Sequence, residues 1–156
     1  MSAAKCSALK WKDDVETLCR GNNSGFRKKP MQNFRDLKVW QNSFALTLSL
    51  YRATRGARRS DFPGLVPQLL RAAASIPANI AEGCGHVRSR EFARYLQHAL
   101  ASAFELENHL LLAANLGVLN RTTAADLDAQ VNGVKRMLAS LMRRVKARDS
   151  ERRERS

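Results

Sequence analysis

The feature that most constrains this chain is a pair of long apolar stripes in its second half. One stripe recurs at intervals of 4, 3, 4, 3 and 4 residues and consists of Phe92, Leu96, Ala99, Ala103, Leu106 and Leu110. The next stripe follows the same intervals and consists of Leu127, Val131, Val134, Leu138, Leu141 and Val145. Such spacing places each stripe on one face of an α-helix. Two such helices joined by a short loop predict an antiparallel, left-handed bundle.

Two further amphipathic helices are predicted upstream, at about residues 34–55 and 65–82. The core stripe of the first is predicted as Leu37, Trp40, Phe44, Leu48 and Tyr51. That of the second is predicted as Leu69, Ala73, Ile76 and Ile80. Because Pro77 removes a backbone donor inside the second helix, a kink or a division into two segments is expected. Gly117 is expected just past the end of the third helix. No segment reads as a strand, so the predicted fold is an all-α, up-down-up-down four-helix bundle.

The composition divides the 156 residues into three regions. Residues 1–30 lack sustained periodicity, contain a basic run at residues 27–29 and are expected to be a disordered basic extension. An alternative is that Met31 is the true start and that the preceding residues are an upstream over-call. Residues 31–148 form the predicted bundle. Since the apolar phase is lost after Val145, residues 149–156 are expected to be a charged tail or a frayed helical end.

The first helix carries more apolar residues than one core needs. Val39, Leu46 and Leu50 lie opposite its predicted core stripe, and Phe104 widens the stripe of the third helix. In a four-helix bundle no helix is central, so a second apolar face favours packing against another subunit. We therefore expect these four residues to form an oligomer interface. The alternative is a scatter of surface apolar residues, which is common.

The charge favours a polyanionic partner, because 27 Lys and Arg outnumber 14 Asp and Glu to give a net charge of +13. In an up-down bundle the start of the first helix, the second loop and the end of the fourth helix meet at one end. We call the cations predicted there the basic pole and expect them to bind nucleic acid: Arg35, Lys38, Arg88, Arg90, Arg94, Arg143, Arg144 and Lys146. The opposite end has a smaller cluster: Arg52, Arg55, Arg58, Arg59 and Arg121. The alternatives are a charged surface that only confers solubility and an anionic membrane surface.

Polar residues at helical spacing line the second and third helices beside their apolar stripes. We expect them to meet in an internal hydrogen-bond network of Arg71, Ser75, Asn79, Glu82, Ser102 and Glu105. The network is interpreted as structural, since such networks fix the register between helices. Catalysis by His98, Glu105 and His109 is a distant alternative.

No metal site, cofactor or catalytic residue is predicted. The Glu-x-x-His pattern of di-iron bundles is missing, the three cysteines form no CxxC pair, and nucleotide-binding, metalloprotease and hydrolase motifs are absent from the sequence. The chain is therefore expected not to be an enzyme. The sequence contains no apolar run of membrane-spanning length and no secretion signal. Together with the unpaired cysteines, this predicts a cytoplasmic protein without a membrane partner.

Several motifs resemble one known family over about residues 31–145. They are the stretch from Phe34 to Gln41, the block Ser75-Ile-Pro-Ala-Asn-Ile-Ala-Glu-Gly83 with Arg71 before it, Phe92 to Leu96, Ser102, Glu105 and Leu116 to Leu119. This set resembles the four-helix-bundle proteins encoded in 23S rRNA intervening sequences. The resemblance implies a bacterial, cytoplasmic four-helix bundle. That family is similar to the accessory proteins of diversity-generating retroelements, which form pentameric barrels and bind reverse transcriptase and nucleic acid. A ring-like homopentamer is thereby implied.

Together these patterns predict a non-enzymatic, oligomeric protein that binds nucleic acid, RNA rather than DNA, through its basic pole. The alternative is a protein-interaction adaptor, which would dock a reverse transcriptase or a ribosomal component and in which the charge is secondary.

Overall fold

The structure is a computed structural model that describes residues 33–55, 62–86 and 88–154. A short 3-10 helix at Phe34–Asp36 precedes four α-helices, which are α1 (Lys38–Ala53), α2 (Leu65–Cys84), α3 (Ser89–Asn115) and α4 (Arg121–Glu154). The described ranges contain no strand, so the predicted all-α four-helix bundle is confirmed. The extension predicted for residues 1–30, together with Arg58 and Arg59, lies outside the described residues.

Each helix packs against the next one in the chain, and α1 also packs against α4, which closes the bundle. The α2 and α3 helices are antiparallel, because Ser75 lies beside Ser102 while Glu82 lies beside Tyr95. The start of α1, the connection from α2 to α3 and the end of α4 therefore lie at one end of the bundle. This is the end at which the sequence places the basic pole.

The core follows the predicted stripes in three of the four helices. The buried members are Leu69, Ala73, Ile76 and Ile80 on α2, Phe92, Leu96, Ala99, Ala103, Leu106 and Leu110 on α3, and Leu127, Val131, Val134 and Leu138 on α4. Leu141 and Val145 are only partly buried and pack against the edge of this core. Burying each large apolar side chain contributes about 1.5–3 kcal/mol, so these stripes supply the main stabilisation of the bundle.

The prediction for α1 is wrong in part, because the buried face of the helix is turned by about a third of a revolution from the predicted stripe at roughly 100° per residue. Leu37 and Trp40, at the start of that stripe, are partly buried and still pack against the core. Val39, Leu46 and Leu50 are buried in the core of the single chain and are 4%, 0% and 0% exposed. They are therefore not available for the oligomer interface predicted for them. Phe44 and Leu48, predicted as core, are instead among the exposed apolar residues.

Two buried hydroxyl residues explain why the apolar pattern of α1 does not predict this rotation. Ser43 and Thr47 are 0% and 7% exposed and lie on the buried face of α1 with Leu46 and Leu50. Sequence reasoning favours a stripe of large aromatic and aliphatic residues over one interrupted by hydroxyls. The Ser43 hydroxyl, however, donates to the Trp40 carbonyl, so its burial leaves no hydrogen-bonding group without a partner.

Thr47 compensates for the proline inside α2. Pro77 has no N–H, so the Ala73 carbonyl four residues earlier lacks its usual donor within the helix. The Thr47 hydroxyl lies 2.9 Å from Ala73 O and 2.9 Å from Ser43 O, so its one proton is shared between them. The buried carbonyl thus finds a donor on the neighbouring helix. The α2 helix runs without interruption through Pro77, so the division into two segments does not occur, while the kink stays a prediction.

Glycines set two local features of the bundle. A Cβ at Gly83 would lie 2.8 Å from Tyr95 Cβ and 2.9 Å from Phe92 Cδ2, so only glycine permits this approach of α2 to α3. Gly117 has φ of 72°, and its N–H donates to Ala114 O while that of the following residue donates to Ala113 O. This is the predicted glycine-ended stop of α3.

The last helix continues beyond the end of its apolar stripe. Of the two alternatives left open after Val145, the structure shows a helix, which extends to Glu154. Its last turns lie beside the start of α3. The continuation places Lys146, Asp149 and Ser150 at the end of the bundle that carries the basic pole.

Candidate nucleic-acid interface

The first turns of α3 and the last turns of α4 enclose an open cavity of about 680 Å³ at the basic pole. Both helices contribute cations, and the cavity is lined by Arg88, Ser89, Arg90, Glu91, Ala93, Arg94, Gln97, Val145, Lys146, Asp149 and Ser150. Arg88 caps the start of α3, Arg90 and Arg94 lie four residues apart on its first turns, and Lys146 reaches the cavity from α4. The N-cap residue Arg88 makes no side-chain hydrogen bond to the first turn of α3, so the start of this helix offers backbone N–H donors and the positive end of its dipole. We call this feature the arginine cavity.

Two carboxylates reduce the positive charge of the arginine cavity without cancelling it. Glu91 Oε2 lies 3.7 Å from Arg94 Nε, in an exposed pair that adds little to stability. Asp149 also lines the cavity, opposite the arginines of α3. The four cationic side chains still outnumber these two acidic ones. Ser89, Gln97 and Ser150 add neutral groups that can donate hydrogen bonds to an anion.

The other half of the predicted basic pole lies outside the arginine cavity. Arg35, Lys38, Arg143 and Arg144 are exposed at the same end of the bundle but do not line the cavity. The guanidinium of Arg35 stands 4.7 Å from the centre of the Phe34 ring, an arrangement typical of a cation–π contact. These four cations add exposed positive surface at the same end of the bundle.

A group of aromatic rings adjoins the arginine cavity, and sequence reasoning did not identify it. His86 stacks on Tyr95 with ring centres 4.8 Å apart and planes inclined by 20°. His98 meets the same tyrosine edge-on at 6.2 Å. The Arg94 guanidinium lies 5.8 Å from the Tyr95 ring centre and also lines the cavity. The only signal in the sequence is the spacing of Tyr95 and His98 on one helix, because His86 comes from the preceding connection.

Contacts with α2 hold Tyr95 in this group. Its hydroxyl donates a 2.9 Å hydrogen bond to Glu82 Oε1. This bond to a carboxylate is the main cause that raises the pKa of Tyr95 above its ordinary value. The tyrosine also packs where Gly83 allows α2 to approach closely. The orientation of the ring is therefore fixed by two contacts with α2.

The predicted polar network is only partly assembled. Ser75 and Ser102 share a 2.9 Å hydrogen bond between helices, and Asn79 Nδ2 donates to Ser75 O at 2.8 Å and to its hydroxyl at 3.0 Å. Glu82 instead accepts from Tyr95, and Glu105 is exposed beside His109 at 3.6 Å. Among the described residues, Arg71 forms no salt bridge with Glu82 or Glu105. The charged members Arg71, Glu82 and Glu105 are exposed. Only the short polar side chains of Ser75, Asn79 and Ser102 form the network.

A salt bridge joins α3 to α4 and was not predicted. Lys135 Nζ lies 2.6 Å from Glu107 Oε1, and the two side chains are only 15% and 25% exposed. The same ammonium group stands 4.5 Å from the centre of the Phe104 ring. Phe104 itself is 53% exposed, so this member of the predicted oligomer interface remains available at the surface.

Exposed apolar side chains lie on the outer faces of α1 and α3. They are Phe44, Leu48 and Tyr51 on α1, Phe104, Leu111 and Leu112 on α3, and Leu116 just after it. On α1 the Trp40 ring stacks on Phe44 at 5.0 Å and meets Phe34 edge-on at 4.9 Å. Toward the opposite end, a groove of about 570 Å³ is lined by Leu48, Tyr51, Arg52, Thr54, Arg55, Val66 and Leu70.

The described ranges hold neither a cluster of metal ligands nor an activated thiol. No group of three or more His, Cys, Asp or Glu side chains in the described ranges is placed to hold a metal ion. Cys84 is buried, and burial raises the pKa of its thiol to about 11. The thiol is therefore almost entirely protonated near neutral pH, which disfavours reaction as a nucleophile. None of the described helices is both long and apolar enough to cross a membrane.

Comparison with known proteins gives a family and a fold. The model of the family described as "23S rRNA-intervening sequence protein" matches residues 35–140. A solved structure from Bacteroides thetaiotaomicron, described as a protein of unknown function from the S23 ribosomal protein family, is 22% identical with a TM-score of 0.62. The match covers 67% of this chain and 97% of that one, and at this identity it shows the fold alone. No curated protein matches the chain.

Proposed function

Since the chain belongs to the family of 23S rRNA-intervening sequence proteins, we propose that it is a non-enzymatic RNA-binding protein that contacts phosphates through its basic pole. The single observation that best supports this function is the arginine cavity, in which two helices contribute cations to one concave surface. Guanidinium groups bind phosphate through paired hydrogen bonds, and a free helix start adds backbone donors. The proposed setting is the bacterial cytoplasm, and the proposed ligand is RNA rather than DNA.

We further propose that the protein acts as an oligomer, and a homopentamer is the form expected from the family resemblance. The exposed apolar side chains support this part of the proposal, because one chain alone leaves several large ones in water. Val39, Leu46 and Leu50 no longer belong to the interface, since they are buried within the chain. The interface is proposed to involve Phe104 and the outer face of α1 instead. A ring would repeat the basic pole around its axis and multiply weak phosphate contacts.

Charge reversal at the two ends of the bundle tests the function. Arg88→Glu with Arg90→Glu alters the arginine cavity, whereas Arg52→Glu with Arg55→Glu makes the same change in charge at the opposite end. In gel-shift titrations with structured RNA, the first pair should weaken binding at least tenfold and the second should weaken it far less. Equal losses would indicate attraction by net charge alone and would refute a localised site. Light scattering checks that both variants keep the oligomeric state of the wild type.

An adaptor is the second candidate, and a specific observation favours it. The groove beside Tyr51 combines apolar lining with two exposed arginines, which suits a partner helix with an apolar face and acidic flanks. In this alternative the protein docks a reverse transcriptase or a ribosomal component, and the basic pole is secondary. Absence of RNA binding by a folded, oligomeric wild type would favour the adaptor over the RNA-binding function.

A further inference from the structure

We propose that His86, Tyr95 and His98 form a stacking platform for an unpaired nucleobase, beside the arginine cavity that holds its phosphate. This inference rests on the proposed RNA-binding function and specifies the class of RNA, namely RNA with unstacked bases such as loops or single strands. It assigns a role to three rings that contribute no apolar core and that no predicted network includes. We call these three residues the ring platform.

The geometry of the rings supports stacking. The 4.8 Å separation and 20° inclination of His86 and Tyr95 are typical of an offset stack. His86 is exposed, and only one face of its ring is covered by Tyr95 among the described residues. In the proposal, an unpaired base extends the stack on the face of the His86 ring turned away from Tyr95. His98, also exposed, borders the same tyrosine edge-on.

The platform is preorganised before a ligand arrives. The Tyr95 hydroxyl is bonded to Glu82, and the ring lies against the segment of α2 that Gly83 brings close. A base that stacks on a ring already held in place loses less binding free energy to the ordering of side chains. The platform therefore resembles the fixed aromatic surfaces on which single-stranded nucleic acids stack.

Arg94 connects the platform to the arginine cavity. Its guanidinium stands 5.8 Å from the Tyr95 ring centre, and the same side chain lines the cavity with Arg88 and Arg90. One nucleotide carries its base and its phosphate only a few ångströms apart. A phosphate in the cavity would thus bring its own base, or that of a neighbouring nucleotide, within reach of His86.

This arrangement selects against a regular duplex. In double-stranded RNA the bases are stacked inside the helix and cannot cover an additional protein ring, so a duplex would use the cations alone. Single-stranded RNA would use both the cations and the platform. A preference for unpaired RNA at equal phosphate number is therefore the signature of the platform.

The test measures binding by fluorescence anisotropy at constant pH and salt. The probes are a single-stranded RNA, an abasic phosphoribose strand of the same length and a duplex with the same number of phosphates. The variants are His86→Ala and His98→Ala, with His86→Phe as a rescue that restores a flat ring. Phe62→Ala removes a half-buried aromatic side chain in the connection between α1 and α2, at the opposite end of the bundle, and is the matched control.

The wild type is expected to bind the single strand about tenfold more tightly than the abasic strand, since one stacked base contributes on that order. His86→Ala should lose most of this advantage and keep its affinity for the abasic strand, whereas His86→Phe should restore it. Equal binding of all three probes by the wild type, or equal losses in His86→Ala and Phe62→Ala, would overturn the platform and leave phosphate binding intact. Failure of the wild type to bind any probe would overturn the RNA-binding function as well.

Discussion

Replacing Thr47 with valine tests how the bundle accommodates a proline in a buried helix. Valine has nearly the same shape but lacks the hydroxyl that lies 2.9 Å from the Ala73 carbonyl. Because Pro77 offers no N–H, that carbonyl is left without a donor in the variant. An unsatisfied buried acceptor costs about 1–3 kcal/mol, so we expect Thr47→Val to lower the free energy of unfolding by roughly this amount. Thr47→Ser, which keeps the hydroxyl, should cost less.

A double-mutant cycle separates this cause from simple repacking. In Pro77→Ala the new N–H can donate to the Ala73 carbonyl within α2, so the Thr47 hydroxyl is no longer needed. Thr47→Val should then cost about 1 kcal/mol less in the Pro77→Ala background than in the wild type. The cavity left by removing the proline ring is common to both Pro77→Ala proteins, so it cancels in the cycle.

Urea denaturation followed by far-ultraviolet circular dichroism, at one protein concentration, measures the four free energies. A coupling energy indistinguishable from zero would refute the reasoning, because it would show that Thr47 stabilises α1 independently of Pro77. An unchanged stability of Thr47→Val in the wild-type background would refute it as well.

Two further predictions concern the packing of α3. Gly83→Ala should lower stability by about 1–3 kcal/mol, because its Cβ would lie 2.8 Å from Tyr95 Cβ. Gly133→Ala, which has open space around its Cβ, should raise stability by about 0.5–1 kcal/mol. Equal effects of the two substitutions in thermal unfolding would contradict the close approach of α2 and α3. Lys135→Met should lower the free energy of unfolding by about 1.5–3 kcal/mol, because it leaves the Glu107 carboxylate without its partner in a largely buried site. Glu91→Gln, in the exposed pair with Arg94, should lower it by at most about 1 kcal/mol. A larger loss for Glu91→Gln than for Lys135→Met in urea titrations would contradict this ranking.

The fold was predictable from the sequence where apolar spacing and helix stops agree. On α3 the six apolar residues of the predicted stripe, which begins at Phe92 and ends at Leu110, are all buried. Gly117 ends the helix as expected. The end of α4 was less predictable, because charged residues after Val145 support either a helix or a tail. Packing of Lys146 and its neighbours against the start of α3 accompanies the helical continuation.

The orientation of α1 was not predictable by hydrophobicity alone. The face with Phe44, Leu48 and Tyr51 is the more apolar one, yet the face with Ser43 and Thr47 is buried. The buried face carries Thr47, whose hydroxyl supplies a donor to the Ala73 carbonyl that Pro77 leaves without one. A pattern read within one helix carries no information about such a need.

The candidate site was predictable in part for a similar reason. The up-down topology correctly places Arg88, Arg90 and Arg94 near Lys146, because only the order of the helices matters for that conclusion. The ring platform depends on how the connection after Gly85 turns, and on Gly83 letting Tyr95 approach α2. Contacts of this kind are set by tertiary packing rather than by spacing within one element.

The salt dependence of RNA binding tests the central claim most directly. The equilibrium constant for a single-stranded RNA is measured over a salt series for the wild type and for Arg88→Glu with Arg90→Glu. If the basic pole binds phosphates, the logarithm of the constant falls linearly with the logarithm of salt concentration, with a slope of about −0.7 per phosphate contact. Loss of two contacts should reduce the steepness by roughly 1.4 per subunit. A flat dependence in the wild type, or the same slope in both proteins, would contradict phosphate binding at this pole.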